Sequence, residues 1–116
     1  MDLDRQRGAD VFEAAVVSLS AQADEADAIW TRYEEACRGQ STGGSVRRGR
    51  RGWIISQVFI DNETTPECLG WRSDIERLSI AVQRGLHQAD ENARRSGVFP
   101  GTRRQIRSRY GLNWAQ

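Results

Sequence analysis

Two arginine-rich runs hold the residue types best suited to gripping an anion. Arg47, Arg48, Arg50 and Arg51 alternate with Gly49 and Gly52 and lead into Trp53. Glycine lets a backbone approach a sugar-phosphate chain closely, each guanidinium presents a planar fork of donors that fits phosphate oxygens, and an indole offers a face for base stacking. Further along, Arg103, Arg104, Arg107 and Arg109 form a second run. On a helix Arg103 and Arg107 stand one turn apart with Arg104 alongside, while Ile106 and Tyr110 share the opposite side. A phosphate-binding face would then be backed by an apolar one. Phe99, Tyr110 and Trp114 add rings that either stack on bases or anchor this segment to a core.

These runs belong to a wider pattern. All seventeen basic residues are arginine, and the charge alternates in four blocks. Residues 1–38 carry nine acids against four arginines, and residues 39–60 carry four arginines and no acid. Residues 61–93 carry seven acids against three arginines, and residues 94–116 carry six arginines and no acid. A GC-rich genome accounts for arginine in place of lysine, but such a bias would scatter arginine among the acids. The formal net charge of +1 therefore conceals two basic segments beside two acidic ones.

Other chemistries find little support. His87 has Asp90 and Glu91 nearby, but no second histidine exists to complete a metal site. The run Ser-Thr-Gly-Gly-Ser at 41–45 lacks the lysine of a phosphate-binding P-loop. Cys37 and Cys68 have no activating motif around them, and in a chain with no export signal they are expected as reduced thiols in or near the core. No window approaches the roughly 20 apolar residues of a bilayer span. The expectation is a soluble, cytoplasmic, non-enzymatic protein with no metal, cofactor, small-molecule substrate or membrane partner.

The elements that must carry the arginines follow from the apolar spacing. Asp10 and Glu13 form a helix-start signature, after which Phe12, Val16, Leu19, Ala23, Ala26, Trp30, Tyr33 and Cys37 recur in a heptad seam that ends before Gly39. This predicts a helix over about 11–38, roughly 40 Å long. Residues 39–52 hold five glycines and predict a flexible Gly/Arg loop. Trp53–Ile60 is ambiguous between a short buried helix and a strand paired with another subunit, and Asp61–Pro66 reads as a turn. Ser73 and Glu76 then open a second amphipathic helix over about 73–96, whose seam is Ile75, Leu78, Val82, Leu86, Ala89 and Ala93. Gly85 inside it points to a close helix contact. Thr102 and Gln105 predict a short helix over 103–110 that stops at Gly111.

Gln105 to Asn113, Gln-Ile-Arg-Ser-Arg-Tyr-Gly-Leu-Asn, resembles the first helix and turn of a helix-turn-helix, with Ile106 as packing residue and Gly111 as turn glycine. Arg107 departs from that motif, which wants a small residue there, and the three residues after Asn113 leave no room for a recognition helix. The Arg103–Arg109 run is also similar to arginine-rich helices that bind RNA.

The chain is thus expected to be a single all-α domain over 1–116. Two long antiparallel amphipathic helices and short helices would make a hairpin or small bundle, completed by oligomer or partner contacts, with a basic segment at 98–116. Two functions fit. One is a subunit that binds RNA or single-stranded DNA through Arg47, Arg48, Arg50, Arg51, Trp53, Arg103, Arg104, Arg107 and Arg109. The alternative is a structural or assembly subunit of a phage, viral or multiprotein scaffold, whose acidic helices meet the arginine segments of a protein partner or another copy.

Overall fold

The computed structural model describes residues 2–38 and 65–112. The central run Arg47–Arg51, Trp53, the ambiguous segment 53–60 and Trp114 lie outside them. Three α-helices, α1 (Asp2–Tyr33), α2 (Pro66–Arg95) and α3 (Pro100–Arg109), account for the fold, and a π-helical turn at Glu34–Arg38 prolongs α1. No strand occurs among the described residues. The two long helices form the expected antiparallel hairpin, and α3 folds back against one of its faces. The molecule measures 55 × 24 × 17 Å, its long dimension set by α1, which at 1.5 Å per residue spans about 48 Å.

Both apolar seams meet in one core. Phe12, Val16, Leu19, Ala23, Ala26 and Tyr33 from α1 bury against Ile75, Leu78, Val82, Leu86, Ala89 and Ala93 from α2, joined by Val98, Ile106 and Leu112. Trp30 stacks on Tyr33 with ring centroids 5.6 Å apart. A buried Leu or Ile side chain of this kind contributes about 2 kcal/mol relative to exposure, so the seams hold the hairpin while the exposed faces decide what it can meet.

The helix starts differ from their sequence signatures. α1 begins at Asp2, and Asp10 sits inside it, where its Oδ1 accepts a bond from Gln6 Nε2 at 3.0 Å instead of capping a terminus. α2 begins at Pro66, inside the expected turn, because Thr65 caps it. Thr65 is extended (φ −69°, ψ 145°) and its Oγ1 accepts from the Cys68 backbone N–H at 3.2 Å, while Pro66 fills the first position, where no N–H is needed. Ser73 is consequently a mid-helix residue, and Glu76 pairs with Arg72 at 3.8 Å. α3 likewise starts at Pro100, not after Thr102.

The helix ends were better marked. Gly97 (φ 82°) and Gly111 (φ 73°) adopt the left-handed conformation, one residue beyond the C-caps of α2 and α3. In each case the next residue returns its N–H to the helix, Val98 to the Ala93 carbonyl at 3.0 Å and Leu112 to the Arg107 carbonyl at 2.8 Å. This is the Schellman arrangement, and its apolar residue is buried both times, Val98 at 3% and Leu112 at 0% exposure.

The hairpin register is fixed at three levels. Near the α3 end, a Cβ added to Gly8 would lie 2.6 Å from Ser96 Cβ, so the helices approach there at a distance only glycine allows. At the middle, a Cβ on Gly85 would lie 2.5 Å from Leu19 Cδ2, the close contact its position predicts. At the far end Cys37 and Cys68 are joined in a disulfide with Cα atoms 5.9 Å apart. The expectation of reduced thiols is thereby corrected. Starting α2 at Pro66 carries Cys68 onto the helix, level with Cys37 at the end of the α1 seam.

Candidate functional site

α3 positions the C-terminal arginines, and the acidic blocks receive them. Arg103 and Arg107 stack one turn apart, as expected, but both point at Asp90 of α2. Arg103 Nη1 lies 3.4 Å from Asp90 Oδ1 and Arg107 Nη1 lies 3.0 Å from Oδ2. All three side chains are largely buried, at 15%, 13% and 23% exposure. The Nε atoms of both arginines are buried without a hydrogen-bond partner. Each guanidinium is therefore held by its tip alone, and an unmet buried donor costs about 1–3 kcal/mol. The carboxylate fixes where α3 docks, at some expense in net stability.

A second junction ties α3 to α1. Tyr110 donates its hydroxyl to Glu13 Oε2 at 2.6 Å, Arg109 Nη1 donates to the same oxygen at 2.9 Å, and Ser20 Oγ donates to the Tyr110 carbonyl at 3.2 Å. The Tyr110 hydrogen bond, with help from Arg109, holds the Glu13 carboxyl below the usual carboxylate range. The same bond pushes the Tyr110 phenol above its ordinary value. Glu91 is held low in the same manner by its hydrogen bond to Arg94 at 3.0 Å.

Of the four C-terminal arginines singled out in the sequence, Arg103, Arg107 and Arg109 thus meet carboxylates of the same chain. Arg104 is exposed and has no ion pair among the described residues. Ile106 is buried and Gly111 makes the turn that ends α3. Of the aromatic candidates, Tyr110 anchors α3 to α1, while Phe99 is 56% exposed beneath Arg5, whose guanidinium carbon lies 4.5 Å from the ring centroid. Asp90 and Glu91, the carboxylates near His87, are engaged by arginines, and no group of three potential metal ligands occurs among the described residues.

Among the described residues, no element packs over the opposite face of the hairpin. Glu13 and Ser20 lie on the flank of α1 that meets α3, whereas Val11 and Ala15 lie on the other flank. There they line a groove of about 610 Å³ with Ala89 and Asn92 of α2, and Asp4, Arg7 and Arg95 supply its charged lining. Val11 is 61% exposed. Sequence reasoning misses this groove because it follows only the deeper seam. The signal is present as a second three-and-four spacing through Gly8, Val11, Ala15 and Ser18.

No helix among the described residues is long and apolar enough to cross a membrane. No protein-family model, no curated protein and no solved structure matches the chain.

Proposed function

We propose that this protein is a non-enzymatic assembly subunit, a disulfide-closed helical hairpin that offers a helix face to a protein partner. The observation that carries this reading is the destination of the basic segment. Arg103 and Arg107 are spent on Asp90, and Arg109 on Glu13. A surface built for phosphate keeps its guanidinium groups facing solvent, ready to displace counterions; here Arg103 and Arg107 are largely buried on Asp90, where they hold α3 in place. The open groove on the other face supports the same reading, since a partly apolar floor with a charged edge suits a protein surface. The Cys37–Cys68 bond favours an oxidising compartment in place of the cytoplasm expected from the sequence.

Sedimentation of the purified chain with a labelled single-stranded oligonucleotide at low ionic strength tests this against the nucleic-acid reading. The assembly reading expects the oligonucleotide to stay free. Co-sedimentation that weakens with salt at a log–log slope of roughly −4 to −5, the signature of about six neutralised phosphates, would overturn it.

A further inference from the structure

The two halves of the Cys37–Cys68 bond stand in unlike surroundings. Cys37 is half-buried, in the π-helical turn Glu34–Arg38 that ends α1. Cys68 is buried, at 7% exposure, in the first turn of α2, where Thr65 caps its backbone N–H. The last buried side chains of the two seams before the bond are Tyr33 on α1 and Ile75 on α2. Between them and the disulfide every described residue is exposed or half-buried. This end of the hairpin therefore has no buried apolar layer besides Cys68 itself, and the covalent bond stands in its place.

We propose that Cys37 is the sulfur at which a small-molecule thiol attacks this bond, and that the exchange unlatches this end of the hairpin while the rest stays folded. The inference goes beyond the assembly reading and does not depend on it. A thiolate attacks Cys37 Sγ, the bond between the two cysteines breaks, and Cys68 departs as a thiolate, leaving the small molecule in a mixed disulfide on Cys37. A second thiolate attacks the small molecule's sulfur in that mixed disulfide and frees Cys37. Two small thiols are thereby oxidised to one disulfide, and the protons they lose end on the two cysteines. Two asymmetries select Cys37 as the sulfur attacked. The first is access, since the exchange needs the incoming sulfur to reach its target and Cys37 is the less buried of the pair. The second is the leaving group. Cys68 lies at the N-terminal, positive end of α2, which stabilises its thiolate, and a stabilised thiolate leaves faster. Cys37 lies at the opposite, negative kind of helix end and would leave less readily. The nearby carboxylates, Glu34 and Glu35 on one side and Glu67 on the other, are all exposed and screened by water, so they weigh less than the helix end at the buried Cys68. Once the bond opens, residues 34–38 and 66–74 keep no buried apolar partner except Cys68, whereas the seams from Phe12 to Tyr33 and from Ile75 to Ala93 are untouched.

Trapping tests the site of attack. The oxidised chain is incubated with cysteamine at several concentrations, quenched in acid with N-ethylmaleimide, and the labelled cysteines are located by peptide mass spectrometry. Cysteamine should be found on Cys37 and maleimide on Cys68 in at least about tenfold excess over the reverse, and loss of the bond should rise in proportion to thiol concentration. Cysteamine on Cys68, equal labelling of both cysteines, or no adduct at any concentration overturns the assignment. Hydrogen exchange tests the unlatching. In the reduced chain, and in a Cys37→Ser/Cys68→Ser variant without any thiol, residues 69–74 should approach the exchange rate of unstructured peptide while residues 12–33 and 75–95 stay protected. Residues 69–74 as protected as 75–95, or protection lost throughout both helices, overturns a local latch.

Discussion

The two ends of the hairpin are locked by different physics. At one end Cys37 and Cys68 join α1 to α2 covalently, beside the Trp30–Tyr33 stack. At the other, α3 is held by a set of directional, charge-assisted contacts, Asp90 with Arg103 and Arg107, and Glu13 with Tyr110 and Arg109, laid over the buried side chains Ile106 and Leu112. A covalent link acts mainly by restricting the unfolded chain, whereas the polar junctions act in the folded state by fixing the pose of one helix. The first resists heat and fails under reduction. The second depends on pH and on single side chains.

The comparison can be broken most forcefully at the covalent end. Replacing Cys37 and Cys68 by serine, or reducing the bond, should lower stability by about 3–4 kcal/mol, the loop-closure value for the 31-residue separation, as read by urea unfolding. Asp90→Ala should cost about 2 kcal/mol, because it strands two largely buried guanidinium groups at once. Combining it with the cysteine replacements should give the sum of the two losses, since about 33 Å of helix separates Asp90 from Cys68, and a clear departure from additivity would mean that the ends are coupled. Gly8→Ala should cost about 1–2 kcal/mol, because the added carbon meets Ser96 Cβ, which cannot rotate away. Gly85→Ala should cost less than about 1 kcal/mol, because the clash is with the end of Leu19, which can turn, and alanine favours the helix.

The smallest effect concerns pH. Glu13 has a folded value below its ordinary 4.5, so its contribution is complete above that value and is lost as the pH falls through the lowered one. Tyr110, raised above 10.0, contributes fully below that value and is lost as the pH climbs through the raised one. Glu13→Gln should flatten the acid limb of the stability profile and leave the disulfide end unaffected, which thermal unfolding from about pH 3 to 6 would reveal.

Much of the fold was legible because apolar spacing records burial directly. Both seams, the stops at Gly97 and Gly111 and the close contact at Gly85 could be taken from residue order alone. The starts were harder, because several Ser, Thr and Asp residues satisfy the capping pattern locally and only tertiary packing chooses among them. Thr65–Pro66 was the better signal for α2, and overlooking it left Cys68 outside the helix, with nothing to bring it to Cys37. The site was less legible than the fold. An arginine run looks the same whether it faces phosphate or a carboxylate brought in by folding. Asp90 is only 13 residues from Arg103 in sequence, but Glu13 is 96 from Arg109, and nothing local announces that meeting.

The disulfide also changes what a broken chain would be. Cys37 and Cys68 enclose every residue between them in a covalent ring, and the central arginines, the natural targets of a trypsin-like protease, lie inside that ring. Cleavage after any of them would open the ring without releasing a fragment, so the nicked protein would migrate as one species until a reductant divided it into two, one carrying α1 and the other α2 with α3.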